Sequence, residues 1–270
     1  MLLIMKRANN IKKINRNSCG HSFYAGLSGL QLNIPKYLFP PPFRDASRLT
    51  YYASFFNSIE FNSSFYRIPQ VTTVAKWAAS VPENFKFTFK LWKEITHSKG
   101  FNFRDKDVEQ FLKAINAVQE KKGCLLIQFP PSLGKEYRIQ LKNLLSCIRE
   151  IEPAHWDIAI EFRNKSWYNE STYNLLKFFK AALVIHDIPK SATPMIDHEA
   201  DFIYVRFHGP TGNYRDSYSD DFLSEYAGYI TEWTEQGKMV YVYFNNTMGD
   251  ALNNLKMLNK LVLANKESMA

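Results

Sequence analysis

The chain has 270 residues, 46% of them hydrophobic and 15% aromatic, and a formal net charge of +8. That length and apolar content suit one α/β domain with a large core and exclude a disordered or repeat protein. The longest apolar runs, such as 124–129, fall far short of the ~20 residues that cross a bilayer, so no membrane partner is expected.

The charge is unevenly spread. Lys6, Arg7, Lys12, Lys13, Arg16, Lys36 and Arg44 all precede the first acid, Asp45; from there on, 27 basic residues face 26 acidic ones. The body is therefore nearly neutral, and the overall charge does not by itself mark a nucleic-acid binder. Residues 1–22 read as a flexible basic arm. A targeting peptide and an over-extended start with Met5 as initiator stay open. Cys19, Cys124 and Cys147 are isolated, with no C-x-x-C, which argues against a disulfide or zinc framework and fits a reducing, cytoplasmic compartment.

Eight short apolar or aromatic runs follow in chain order: 23–27, 58–61, 85–91, 124–129, 157–162, 182–186, 202–207 and 239–244. Near-continuous runs of this kind mark strands buried on both faces of a parallel sheet. Helical periodicity fills most intervals: 46–56 after a candidate cap at Asp45, then 70–80, 105–121, 136–150, 171–180, 219–237 and 249–263. The interval 187–201 reads as a loop. Eight strand–helix units in this length predict an α/β fold, a (β/α)8 TIM-like barrel in a single domain over 23–265, with a short tail at 266–270. An open doubly wound sheet is the rival, but no G-x-G-x-x-G follows the first run.

In such a barrel the C-terminal strand ends carry function. Here they hold Glu60 and Asn62, then Lys90 with Thr96 and His97 behind it, and Gln128. Glu161, Arg163 and Trp167 follow, then His186 and Asp187, Arg206 and His208, and Asn245 and Asn246. Alternation along the second run points Glu60 and Asn62 into the barrel mouth and Phe61 toward the helices. Part of this set can be purely structural, since charged strand ends form internal pairs; Glu161 with Arg206 and Asp187 with Lys90 are candidates. As a whole the set is too polar to bury without a use.

These blocks resemble a known family. "IEFNSSFYRIP" (59–69), "VPENFKFTFKLWKEITH" (81–97), "LLIQFPPS" (125–132), "IAIEFRNKSW" (158–167), "YVRFHG" (204–209) and "VYVYFNNTMGDALNNL" (240–255) are similar, in order, to the YecE-like family called domain of unknown function 72. The resemblance implies a TIM-barrel-like fold and no settled activity. It maps motif residues onto the positions above other than His186, and onto Phe65, Tyr66, Tyr214 and Tyr218. One departure is visible: Leu30 and Leu32 stand where the family has aromatics, which would alter any ligand contact there.

Three chemistries are compatible with the set; the first, a hydrolase, is the preferred reading and the other two are its alternatives. In the first, Glu60, Glu161, Asp187 and His208 are catalytic, doing acid–base work in a hydrolase acting on a phosphorylated, nucleotide or sugar-like substrate. The second is a metal-dependent phosphodiesterase, with a divalent metal bound by the acids and His186 or His208; with no H-x-H pair and with Lys90, Arg163 and Arg206 interspersed, it is the weaker signal, and no cofactor is expected. The third is binding without turnover of an anionic or polyhydroxylated small molecule, or of nucleic acid. Asn62, Lys90, His97, Gln128, Arg163, Arg206, Asn245 and Asn246 would supply the polar contacts, and Tyr66, Trp167, Tyr214 and Tyr218 the stacking surfaces. For Phe65 and Trp92, packing is the better reading. The segment 206–219, punctuated by Gly and Pro and rich in Tyr and Ser, is expected to be a mobile lid.

Overall fold

The computed structural model describes residues 22–152, 156–194 and 200–269. The basic arm, except Ser22, and Cys19 lie outside them. In chain order the strands are β1 (Phe23–Leu27), β2 (Ser58–Phe61), β3 (Lys86–Lys90), β4 (Lys122–Phe129), β5 (Asp157–Phe162), β6 (Ala181–Leu183), β7 (Ile185–His186), β8 (Phe202–Phe207) and β9 (Met239–Phe244). The α-helices are α1 (Arg48–Tyr52), α2 (Ser63–Tyr66), α3 (Val71–Ala79), α4 (Lys93–Thr96), α5 (Asp105–Ile115), α6 (Arg138–Ile151), α7 (Glu170–Phe178), α8 (Asp220–Glu235) and α9 (Ala251–Met269).

All strand pairs are parallel. Their order is β2-β3-β4-β5-β6 in one sheet and β1-β9-β8-β7 in the other. The expected sixth strand is thus split. Its first half pairs with β5, Val184 N–H still donates to Ile160 O, and its second half pairs with β8. One strand changes partner midway, so it belongs to both sheets.

At the other junction, β1 and β2 share only an isolated bridge between Ser28 and Glu60. Side chains complete the ladder there. Asn57 accepts from Ala25 N–H and donates to Phe23 O, while Tyr52 OH accepts from Leu27 N–H and donates to Ser58 O. Gly26 permits this approach, since a Cβ on it would lie 2.1 Å from Ser58 O. The result is a TIM-barrel-like α/β domain.

Two apolar layers follow from strand alternation. Tyr24, Cys124, Leu126, Ala159, Ala182, Val184, Phe202, Tyr204, Tyr241 and Tyr243 fill the inside. The opposite faces, with Phe87, Leu125, Ile127, Ile158, Ile160, Val205 and Val242, pack under the helices. Each large side chain buried this way contributes about 1.5–3 kcal/mol. Phe61 lies in the outer layer as expected, stacked 4.4 Å from Trp77 of α3.

Several boundaries differ from the sequence expectation. The first helix starts at Arg48, capped by Ser47 rather than Asp45, and stops at Tyr52, whose hydroxyl is already committed to the β1–β2 junction. The helix expected over 105–121 ends at Ile115. A 3-10 turn over Asn116–Lys121 replaces its end, because Asn116 accepts from the Trp156 indole and Lys121 reaches Ala78 O and Val81 O. The last helix runs to Met269 through the expected tail, carried by buried Leu255, Leu258 and Val262. Residues 187–194 form no helix or strand, as expected of that interval. Among the described residues no helix is long and apolar enough to cross a membrane.

Candidate functional site

The site begins with Arg206, a fully buried guanidinium near the end of β8. Its Nη2 donates to Glu60 Oε1 at 2.7 Å and its Nη1 to Glu161 Oε2 at 2.6 Å, so one cation ties β2 to β5 across the barrel. Tyr204, two residues earlier on the same face of β8, donates its hydroxyl to Glu60 Oε2. Arg163 donates to Glu161 Oε1. Both carboxylates therefore have both oxygens engaged. Burial alone would raise the Glu161 carboxyl, but Arg163 and Arg206 hold it well below its usual range.

The network extends through His208. Asp187 Oδ1 accepts from the His208 backbone N–H at 2.8 Å and lies 3.1 Å from its Nδ1. On the other side of the ring, Nε2 faces Arg163 Nη2 at 3.0 Å and Arg206 Nη1 at 3.3 Å. Two cationic donors at Nε2 and a carboxylate at Nδ1 assign the proton to Nδ1 and leave the Nε2 lone pair as acceptor. Burial pushes this imidazole down to about 4, against the pull of Asp187 and Glu161. Asp187 Oδ2 accepts from Tyr218 OH, which in turn accepts from Gly209 N–H. His186 is turned elsewhere, to Phe162 O at 3.0 Å and Tyr168 OH at 3.2 Å.

Lys90, at the end of β3, is different. It is half-buried, and among the described residues its Nζ makes no hydrogen bond or ion pair; it sits 4.1 Å above the Phe65 ring centroid. Burial and then Arg206 push its pKa down to about 7, with Glu161 and Glu60 opposing and Arg163 adding to the fall. The stretch after β2 fixes this placement. Ser64 Oγ, in α2, lies 2.7 Å from both Phe61 O and Lys90 O and shares its one proton between them, clamping the ends of β2 and β3 together. Phe65 also meets the His97 ring edge-on at 4.9 Å, and burial with Lys90 and Lys93 nearby pushes His97 down to about 4. Its Nδ1 lies 2.8 Å from Thr96 Oγ1.

Around this cluster, several buried polar atoms have no partner among the described residues: Arg206 Nε, Asn62 Oδ1 and Ser28 Oγ. Asn62 Nδ2 reaches Ser28 O and Asn245 Oδ1, both at a long 3.4 Å. Gln128 pairs in register with Glu161 and donates to Phe129 O. Tyr214 holds its ring 5.6 Å from His208, and Tyr66 is exposed beside Phe65.

Other expected contacts lie outside the cluster. Trp167 is fully buried, stacked 4.6 Å from Phe162, with its indole N–H on Leu133 O; it offers no surface for stacking a ligand. Asn246 is also fully buried and donates to Asp216 O and Asn254 Oδ1, holding a loop instead of facing the mouth. The pairing of Asp187 with Lys90 does not form, while that of Glu161 with Arg206 does. Phe65, read as packing, is the platform under Lys90. Leu30 and Leu32 pack against the outer core.

The segment expected to be a mobile lid is anchored along its length. Tyr214 N–H donates to His208 O, Met248 N–H to Tyr214 O, Asp250 N–H to Asp216 O and Tyr218 N–H to Asn254 Oδ1. Tyr204 was not singled out in the sequence, although its i, i+2 relation to Arg206 on an alternating strand was the available signal. The Tyr243 hydroxyl, bonded to Ser58 and Thr88 inside the barrel, was likewise missed.

Among the described residues no three His, Cys, Asp or Glu side chains are grouped as a metal site. The strand-end acids instead spend their oxygens on guanidinium, imidazole and hydroxyl donors. A cavity of about 540 Å³ lies at the opposite end of the barrel, lined by residues such as Asn57, Phe85 and Asn259, remote from this chemistry.

The sequence model of one family, described as protein of unknown function DUF72, matches residues 24–269. The chain belongs to the DUF72 family. It is 29% identical over 258 residues to the UPF0759 protein YunF of Bacillus subtilis, covering 83% of this chain and 90% of that protein. Among solved structures, a DUF72 family protein of Enterococcus faecalis superposes with a TM-score of 0.75 at 25% identity, covering 89% of this chain and 95% of that one. A DUF72 protein of Thermotoga maritima gives 0.72 at 26% identity, covering 90% and 100%. The DUF72 fold therefore spans almost all of the described chain, and the strand-end cluster lies within it.

Proposed function

We propose that the strand-end cluster binds a small anionic ligand, with Lys90 and Arg163 as its direct cations and Asn62, Asn245 and Gln128 as neighbouring amides. The observation that carries this is the ammonium of Lys90, unpaired among the described residues. A half-buried cation is normally matched by a carboxylate. The acids within its reach, Glu60 and Glu161, are already consumed by Arg206, Arg163 and Tyr204. A ligand phosphate or carboxylate supplies the missing counter-charge, and the partnerless Arg206 Nε–H is a further donor beside it.

On this reading Glu60, Glu161, Asp187 and His208 position the cations. Their polar atoms are spent inside the network, which disfavours two glutamates flanking a glycosidic bond. A hydrolase acting on a phosphoester is the second reading, favoured by Lys90, whose depressed pKa of about 7 suits proton transfer near neutrality.

Thermal unfolding with inorganic phosphate tests the anion site, because a ligand at 100 times its Kd stabilises the native state by about 2.7 kcal/mol. The wild type should show a saturable rise in Tm that Lys90→Met and Arg163→Gln both reduce. An equal rise in all three proteins would place phosphate on the general surface and end the proposal.

A further inference from the structure

We propose that the Lys90 amine forms an imine with a small carbonyl compound bearing a carboxylate or phosphate, such as a 2-oxo acid or a phosphorylated aldehyde. The inference rests on the anion-site reading, which anchors the ligand's charged group.

Three features single out this lysine. Its backbone is fixed, because Ser64 holds Lys90 O at the end of β3. Its Nζ is half-buried and has no acceptor among the described residues, so nothing must be broken before it reacts. Burial first, then Arg206 and Arg163 against the opposing Glu161 and Glu60, disfavours its charged form, and a desolvated lysine beside other cations is an activated nucleophile. Burial and these arginines leave part of the amine unprotonated near neutrality, while the Phe65 π face favours the ammonium, so both forms coexist. Arg163, with 11% of its side chain exposed and its other contacts fixed by Glu161 and His208, is the preorganised cation for the ligand's anionic group.

The step balances without a redox partner. The amine lone pair bonds to the carbonyl carbon. Both amine protons pass to the former carbonyl oxygen, the C–O bond breaks, and water leaves as C=N forms. An imine protonated by solvent then withdraws electrons from the neighbouring C–C or C–H bond, the chemistry that a carbonyl substrate of this class would use.

Reductive trapping tests this on the full chain. The protein is incubated with pyruvate or glycolaldehyde phosphate and sodium cyanoborohydride at neutral pH, and modified lysines are mapped by peptide mass spectrometry. Lys90 should be labelled roughly tenfold faster than any other lysine, and excess inorganic phosphate should slow Lys90 alone. Lys90→Arg keeps the cation, should retain the wild-type unfolding transition, and should lose the fast label. If Lys90 reacts no faster than surface lysines while phosphate still gives the Lys90-dependent rise in Tm, the imine is overturned and the anion site stands. If both fail, both readings fall.

Discussion

Glu161 is a buried charge shared between two strands. It is fully buried, and its charge is tolerated only because Arg163 and Arg206 flank it. Glu161→Gln removes one charge and leaves the guanidinium of Arg206 half-compensated, so it should cost about 3–5 kcal/mol, the usual penalty for breaking a buried pair. Urea unfolding would measure it, and a loss below about 1 kcal/mol would mean that solvent or Glu60 takes over the charge. Tyr204→Phe is milder. It orphans one Glu60 oxygen and should cost about 1–3 kcal/mol. Glu60, Glu161 and Arg206 were legible as types at strand ends, whereas Tyr204 was not. Their partners were not, because pairing depends on which strands meet across the barrel.

At the scale of elements, the loop after β8 decides how His208 is held. Gly209 has φ +94°, and a Cβ there would lie 2.2 Å from Arg215 O. Gly209→Ala should cost about 1–3 kcal/mol and loosen the Gly209–Tyr218–Asp187 contacts behind the imidazole. Hydrogen exchange at the Gly209 and Tyr214 amides should accelerate well before global unfolding; unchanged protection in this variant would show that the loop accommodates the methyl group. The Gly- and Ser-rich composition suggested mobility, yet the segment is pinned by backbone bonds to the turn before α9. Composition reports what a loop can do, whereas the facing turn supplies acceptors and donors that a local sequence window does not contain. The split of the sixth strand has the same origin, since only the neighbours β5 and β8 define where its partner changes.

For the whole molecule, the buried His208 imidazole predicts how stability responds to pH. It is pushed down to about 4 in the folded state against 6.5 ordinarily. Between these values the unfolded chain binds more protons, so stability falls as pH drops from about 6.5 to 4, by up to about 1.4 kcal/mol per pH unit for each proton. Below the ordinary carboxyl value of 4.5, protonation in the unfolded chain costs the stability that Glu161 supplied. Lys90 acts at the other end. It is neutral in the folded state above about 7 but protonated in the unfolded chain up to 10.5, so its contribution grows with pH across that window. Urea midpoints from pH 4 to 7 should descend on acidification, and the descent should be shallower in His208→Asn. Parallel curves for the two proteins would assign the acid sensitivity to other groups.

The sequence by itself determined the architecture and the zone of chemistry. Buried parallel strands need continuous apolar runs, crossover helices need a 3.6-residue stripe, and charged residues placed after apolar strand bodies can only gather at one end of such a sheet. It also placed Glu60 inward and Phe61 outward, because strand alternation is local. What the tertiary structure alone decided is who meets whom. Arg206 could have paired with one acid or two, and Lys90 could have found Asp187. The fold gave both glutamates to Arg206, turned Asp187 to His208 and Tyr218, and set Lys90 over the Phe65 ring with no ion pair among the described residues. Pairing of buried charges is set by distances between residues far apart in the chain, and no local pattern encodes them.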